Sequence, residues 1–253
     1  MTLDQIKKEL EGFQGDELLE AVRAYENDSR KSVQQYLERC RKKVETYYQE
    51  LARVNGMHEF EQKLARGAVY CGIDEAGRGP LAGPVVAAAV IMPSDCSIPY
   101  INDSKQLSEK KREELYEVIM KEAVSVGVGI SSEDVIDEIN ILQATYQAMR
   151  KAVVSLDPLP EVLINDAVQI PGLPMRQVPV IKGDAKCYSI AAASIIAKVT
   201  RDRMMKEYDR QYPDYGFAGN KGYGSEMHIQ ALKTIGPCPI HRRSFIKNFG
   251  FGE

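Results

Sequence analysis

Four carboxylates follow short apolar runs in this chain: Asp74 and Glu75 after Ile73, Asp166 after Ile164-Asn165, and Asp184 after Ile181-Lys182-Gly183. In an open α/β sheet, ligands collect beyond the carboxyl ends of the strands. If these three strands are neighbours, the four acids share one site. Two carboxylates ~4 Å apart repel by ~4 kcal/mol at an effective dielectric of 20, so such a cluster takes up protons or a cation. Oxygen ligands with no histidine or cysteine beside them favour Mg²⁺ or Mn²⁺ over zinc. Two such ions can activate a water and stabilise the leaving oxygen of a phosphodiester. A strand-end Asp also serves as a turn or helix cap, and spacing alone leaves that reading open. Adjacent strand side chains point to opposite faces, so Asp74 and Glu75 reach one site only if the strand breaks there. Ala76-Gly77 offers a place for the break.

Gly77-Arg78-Gly79-Pro80-Leu81-Ala82-Gly83-Pro84 comes next. Its glycines let the backbone approach a ligand closely, with N–H groups free to donate to sugar or phosphate oxygens. It is not a P-loop, because no Gly-Lys-Ser/Thr follows, and Ala82 stands where a dinucleotide fingerprint needs its third glycine. A glycine-rich hairpin turn is the plainer alternative. Ser104 and Lys105, in a loop before a helix, can hold phosphate. Ser194, Lys198, Arg201 and Asp202 share a helical face, and Tyr223 stands between two glycines, where its ring could stack on a sugar or base. Each of these is equally the pattern of a solvated loop or face. His58, His228 and His241 form no ligand pattern.

These residues need elements to position them. Residues 1–67 read as helical: Thr2-x-x-Gln5 is a capping box, and Val33, Leu37, Cys40, Val44, Tyr48 and Leu51 form one stripe on a long helix expected to end near Gly56. From residue 68 the texture changes. Strands are predicted at 68–74, 83–92, 125–131, 161–166 and 177–182, with helices at 108–122, 132–156, 189–212 and 225–235. The order implies a mixed α/β sheet with helices on both faces. The expected organisation is a helical N-terminal extension, 1–67, and a catalytic domain with a helical C-terminal part, 68–253.

The chain has 253 residues, enough to bury a core without disulfide or metal. Five scattered cysteines exclude a disulfide framework and a cysteine zinc site. The longest uncharged stretch, 79–94, is too short and too rich in proline for a membrane helix, and the N-terminus lacks the apolar run of a signal peptide. The protein is expected to be soluble and cytoplasmic, with no membrane partner. Its net charge of −3 is unevenly spread: residues 68–181 carry 9 basic and 16 acidic side chains, and residues 182–253 carry 12 and 7. An acidic metal-binding pole beside a phosphate-binding face would suit that asymmetry, as would chance variation of a solvated surface.

The run from Asp74 to Ala89 resembles the opening motif of the ribonuclease HII (type 2 ribonuclease H) family. Asn102-Asp103-Ser104-Lys105-Gln106-Leu107-Ser108 is similar to the family's next block, and Lys182–Lys186 with the small-residue helix 189–202 to a third. Gly222-Tyr223-Gly224 with His228, and His241-Arg242-Arg243-Ser244-Phe245, resemble the last two. The resemblance covers residues 68–247 in order. It implies a ribonuclease-H-like fold and endonucleolytic cleavage of RNA in RNA–DNA hybrids. It also implies nicking 5′ to a single ribonucleotide in duplex DNA, leaving 3′-hydroxyl and 5′-phosphate ends. Asp74, Glu75, Asp166 and Asp184 would hold Mg²⁺ or Mn²⁺. Gly77, Arg78 and Gly79 would read the ribose 2′-hydroxyl, which distinguishes RNA from DNA, and Tyr223 would stack on the adjacent deoxyribose. Ser104, Lys105 and Lys198 are further candidates for nucleic-acid contact. The N-terminal extension is similar to those of some Gram-positive members, and its Arg39, Arg41, Lys42 and Lys43 form a basic cluster. Two alternatives stand beside this reading: a ribonuclease HIII-like enzyme restricted to long hybrids, and a hybrid-binding module without catalysis. Protein partners stay open, and the extension would add nucleic-acid affinity or a partner surface.

Overall fold

The computed structural model describes residues 1–251; the last two residues of the expected catalytic domain, 252 and 253, lie outside the described residues. The chain forms two compact units, Met1–Gly56 with Ser97–Tyr100, and Met57–Cys96 with the segment from Ile101 onward.

In the first unit, α1 (Leu3–Glu9) opens on the expected capping box, with Gln5 N–H donating to Thr2 Oγ1 at 3.3 Å and Thr2 N–H to Gln5 Oε1 at 2.7 Å. Helix α2 (Gly15–Arg23) and the start of α3 (Lys31–Ala65) follow. Ile6, Leu10, Leu18, Val22, Val33, Leu37, Cys40 and Val44 close a core of their own. Helix α3 does not end near Gly56 but runs on to Ala65. An isolated glycine costs a helix only ~1 kcal/mol against alanine, and the turns beyond it are anchored in the second unit. There Glu61 is fully buried. Its carboxylate accepts from Ser189 N–H at 2.9 Å, Ser189 Oγ at 2.8 Å and Tyr70 Oη at 3.0 Å.

The second unit is built on a mixed five-stranded sheet in the order β3-β2-β1-β4-β5. The strands are β1 (Tyr70–Ala76), β2 (Val85–Ile91), β3 (Ser125–Ser131), β4 (Val162–Asp166) and β5 (Arg176–Val180). Strands β1, β2 and β3 pair antiparallel, whereas β1–β4 and β4–β5 are parallel. The run Val85–Ile91 is wholly buried, which explains its unbroken apolar sequence. Helix α4 (Glu109–Glu122) is capped by Ser108, and α5 (Glu133–Val154) by Ser132, with a kink at Asn140. Helix α5 covers one face together with Cys71, Ile73, Val85, Ala87 and Ala89. Helix α6 (Tyr188–Gln211) lies so close to the other that a Cβ on Gly72 would overlap the backbone of Ser189 and Ile190. Beyond α6, a helical turn α7 (Phe217–Asn220) and helix α8 (Glu226–Ile235) lead to the C-terminal segment. Among the described residues, no helix is long and apolar enough to cross a membrane.

Candidate active site

The parallel pairing of β1, β4 and β5 makes neighbours of the three strands that precede the acids, which is the condition for a shared site. Along β1, Cys71 and Ile73 enter the core under α5, while Gly72 and Asp74 face α6. Asp74 is buried, and its Oδ1 accepts from Glu75 N–H at 2.7 Å. Burial first, and then the charges of Glu75 and Asp166, hold its carboxyl well above the usual range, against an opposing hydrogen bond from Ser194.

The strand runs through both acids and breaks at the Ala76-Gly77 step that the sequence offers. Ala76 still pairs with Val86, and the turn begins at Gly77. Glu75 enters the cleft because the strand stops just beyond it and Arg78 pairs with its Oε1 at 3.2 Å. Burial pushes the Glu75 carboxyl up; Arg78 opposes the shift and Asp166 adds to it. Asp166, at the end of β4, accepts Gly183 N–H at 2.8 Å, which fixes the turn that carries Asp184. Asp184 is buried, and burial, then Asp103 and Asp166, raise its carboxyl. Lys105 joins the group. Burial alone would lower its ammonium pKa, but Asp103, Asp74, Asp184 and Asp166 together outweigh it and raise the value.

All four predicted acids therefore act on one another or on Lys105. Among the described residues, no three of these side chains stand close enough together to hold an ion as arranged. Asp74, Glu75 and Asp166 each accept a hydrogen bond from protein N–H instead. The donor chemistry fits a hard divalent cation: only oxygens are present, and deprotonation is opposed by burial and like charge.

Beside the acids lies a cleft of about 320 Å³ bordered by Glu75, the Gly77–Gly79 triplet, Ser104, Lys105, Lys198 and Tyr223. The Tyr223 ring is half exposed and faces Gly79. Ser104 is buried, its Oγ accepting from Ser194 Oγ at 2.9 Å. Lys198 donates to Asp202 at 2.7 Å, and Arg112 stands 3.9 Å from the same carboxylate, so Asp202 steadies the cationic side of α6.

Two arginines that the sequence left without a role organise the glycine loop. Arg201, buried on α6, donates to the carbonyls of Pro84 (2.9 Å), Lys221 (2.8 Å) and Ala82 (3.1 Å). Arg242, fully buried, donates to those of Gly83 (2.9 Å), Arg78 (3.0 Å) and Gly77 (2.5 Å). Burial lowers them to about 10 and about 9, so both stay cationic at neutral pH beneath the cleft. Asp103, which caps the 3-10 turn Ser104–Gln106, was likewise missed as a charge acting on Asp184.

A family model for ribonuclease HII matches residues 71–248, and one for the ribonuclease HII N-terminal domain matches residues 2–65. The chain belongs to the ribonuclease HII family. It is 57% identical to a ribonuclease HII of Lachnoclostridium phytofermentans over 97% of both chains. It is 51% identical to one of Acetivibrio thermocellus over 98% of both. Among solved structures, ribonuclease H2 of Pyrococcus horikoshii matches with a TM-score of 0.60 at 27% identity, covering 72% of this chain and 96% of that one. The RNase HII of Archaeoglobus fulgidus, solved in complex with PCNA, matches with a TM-score of 0.58 at 28% identity, covering 70% and 94%. The chain therefore has the ribonuclease-H-like fold and is an endonuclease of the ribonuclease H class.

Proposed function

We propose that this protein is a divalent-metal-dependent enzyme that cuts the RNA strand of RNA–DNA hybrids. We further propose that it nicks 5′ to a single ribonucleotide in duplex DNA, leaving 3′-hydroxyl and 5′-phosphate ends. The observation that carries this reading is the parallel pairing of β1, β4 and β5, the strands that precede Asp74, Asp166 and Asp184, beside a cleft walled by Glu75, Gly77–Gly79 and Tyr223. Asp74, Glu75, Asp166 and Asp184 would hold Mg²⁺ or Mn²⁺. When bound, such ions supply positive charge to activate water and to stabilise the leaving oxygen.

The chain's own residues do the rest. Arg242 and Arg201 turn loop carbonyls inward, leaving Gly77–Gly79 to present N–H groups to the ribose 2′-hydroxyl. Tyr223 stacks on the neighbouring deoxyribose and sets the register. Lys105, Lys198 and Ser104 lie on the cleft wall, where they take the phosphates flanking the cut.

Cleavage of end-labelled duplexes tests this reading, using one embedded ribonucleotide, a long hybrid and all-DNA, each with Mg²⁺, Mn²⁺ or chelator. A metal-dependent cut 5′ to the lone ribonucleotide is expected. Cleavage of the long hybrid alone would favour ribonuclease HIII-like specificity, and binding without any cleavage would leave the binding module.

In the first unit, the exposed Arg39, Lys42 and Lys43 border a groove with Phe13 and Tyr47. We propose that this basic, aromatic face adds nucleic-acid affinity. Deleting residues 1–56, which spares Glu61, should weaken hybrid binding; unchanged affinity would reject the role.

A further inference from the structure

The cleavage reading uses none of the histidines, yet two of them meet, fully buried, behind Tyr223. His228 lies in the first turn of α8 and His241 in the C-terminal segment; their Nε2 atoms are 2.9 Å apart. Two imidazole nitrogens form a hydrogen bond only if one carries the proton and the other does not. The surroundings decide which.

The backbone N–H of Cys238 points at His241 Nδ1 from 3.0 Å. His241 Nδ1 also lies 3.1 Å from Cys238 Sγ and 3.2 Å from the Cys238 carbonyl, so this end admits either role. The Tyr223 carbonyl, 2.8 Å from His228 Nδ1, can only accept and so makes that nitrogen the donor. With His228 neutral, its Nε2 accepts from His241 Nε2–H, which leaves His241 Nδ1 to accept from Cys238 N–H. For a neutral pair the direction is then fixed: Cys238 N–H to His241, His241 to His228, His228 to Tyr223.

Both ends of this chain are fastened to the cleft. The backbone of His241 bridges Ala82, Gly83 N–H donates to Ile240 O at 2.8 Å, and Arg242 N–H to Leu81 O at 2.9 Å. On the other side, Tyr223 O also accepts from Ser225 N–H at 2.8 Å, and Gly222 O accepts from Leu81 N–H at 2.8 Å. The glycine loop and the Tyr223 turn are thus separate pieces of chain joined by the Leu81–Gly222 backbone bond, by Arg201 and, behind Tyr223, by the imidazole pair. The rings of Tyr215 and Phe217 pack against both imidazoles. Burial holds both imidazoles below their ordinary pKa, which keeps the neutral tautomers in place near pH 7.

We propose that His228 and His241 are positioning residues that tie Tyr223 to the glycine loop, and that the tie sets the spacing of the ribose-reading face. The proposal rests on the assignment of that face to Gly77–Gly79 and Tyr223. Two measurements on the full chain test it.

The first is ¹⁵N NMR of the imidazoles at pH 7, which requires no activity. His228 is expected as the Nδ1–H tautomer and His241 as the Nε2–H tautomer; any other pair overturns the tie. The second compares substitutions at His241. His241→Gln keeps an N–H donor near the position of Nε2, and its KM for a single-ribonucleotide duplex should stay within about threefold of the parent. His241→Leu leaves His228 Nε2 without a donor and should raise KM about tenfold, with kcat within about threefold. In a Tyr223→Ala background, His241→Leu should add nothing. A full tenfold rise in that background shows that the pair does not act through Tyr223 and overturns the proposal. If Tyr223→Ala itself leaves KM unchanged, the assignment of the ribose-reading face fails, and the tautomers still decide whether the tie exists.

Discussion

Gly77 and Gly79 stand two residues apart in one motif, and the structure assigns them different work. Gly77 is buried with φ +96°, where an L side chain is strained by ~1–2 kcal/mol. A Cβ there would overlap Nε and Cδ of Arg201 and lie 2.8 Å from the Pro84 carbonyl. Arg201 cannot retreat without releasing at least its bond to Pro84 O, worth ~1.5–3 kcal/mol for a charged donor. Gly77→Ala should therefore cost ~2.5–5 kcal/mol, well above an ordinary surface substitution. Gly79 is exposed, has no positive φ, and its Cβ would meet only Tyr223 Cε1 at 3.7 Å, an ordinary contact. Gly79→Ala should change stability by less than ~0.5 kcal/mol, so any loss of cleavage in it is a loss at the cleft. Urea denaturation of both variants with unchanged slope measures the difference. Equal destabilisation of the two, or a Gly77→Ala variant within ~1 kcal/mol of the parent, would refute the account of the loop.

Asp74→Asn should abolish cleavage, retain duplex binding and raise the melting midpoint at pH 7. The folded carboxyl titrates above its unfolded value, so the parent loses stability as pH rises through that window, and the amide does not. Persistent cleavage would reject the acid's role; a lowered midpoint would reject the electrostatics. Glu61, pushed up to about 7 chiefly by burial, makes the same kind of prediction away from the cleft. The parent should lose ~3 kcal/mol between pH 4.5 and pH 8 that Glu61→Gln keeps, as read from denaturation midpoints at both pH values. His241 has the opposite sign. Burial and then His228 lower it to about 4, so the parent loses stability as pH falls from 6.5 towards 4. His241→Gln should flatten that slope in acid denaturation, and an unaltered slope would show that another group sets it.

The sequence by itself determined whatever local chemistry carries. The capping box at Thr2 and Gln5, the Ser108 and Ser132 caps and the apolar stripe of α3 depend on neighbours three or four residues away, so they are legible in one dimension. The same holds for the four acids, since a strand-end carboxylate is visible once the apolar run before it is recognised. The glycine triplet and Tyr223 were legible because glycine is a backbone statement written in the side-chain alphabet. Only the tertiary structure decided that β1, β4 and β5 are neighbours, that β1 continues through Glu75, and that α3 passes Gly56 to bury Glu61 against Ser189.

The roles of Arg201, Arg242, His228 and His241 belong to that second class for one physical reason. Six of the bonds that hold the arginines end on backbone carbonyls, most of them more than a hundred residues away. The histidine chain begins on a backbone N–H and ends on a carbonyl. Every residue carries a carbonyl, and all but proline an N–H, so such partners leave no mark on the residue types. Arginine and histidine read as surface groups until the fold buries them, and only then do the backbone groups they hold come into view.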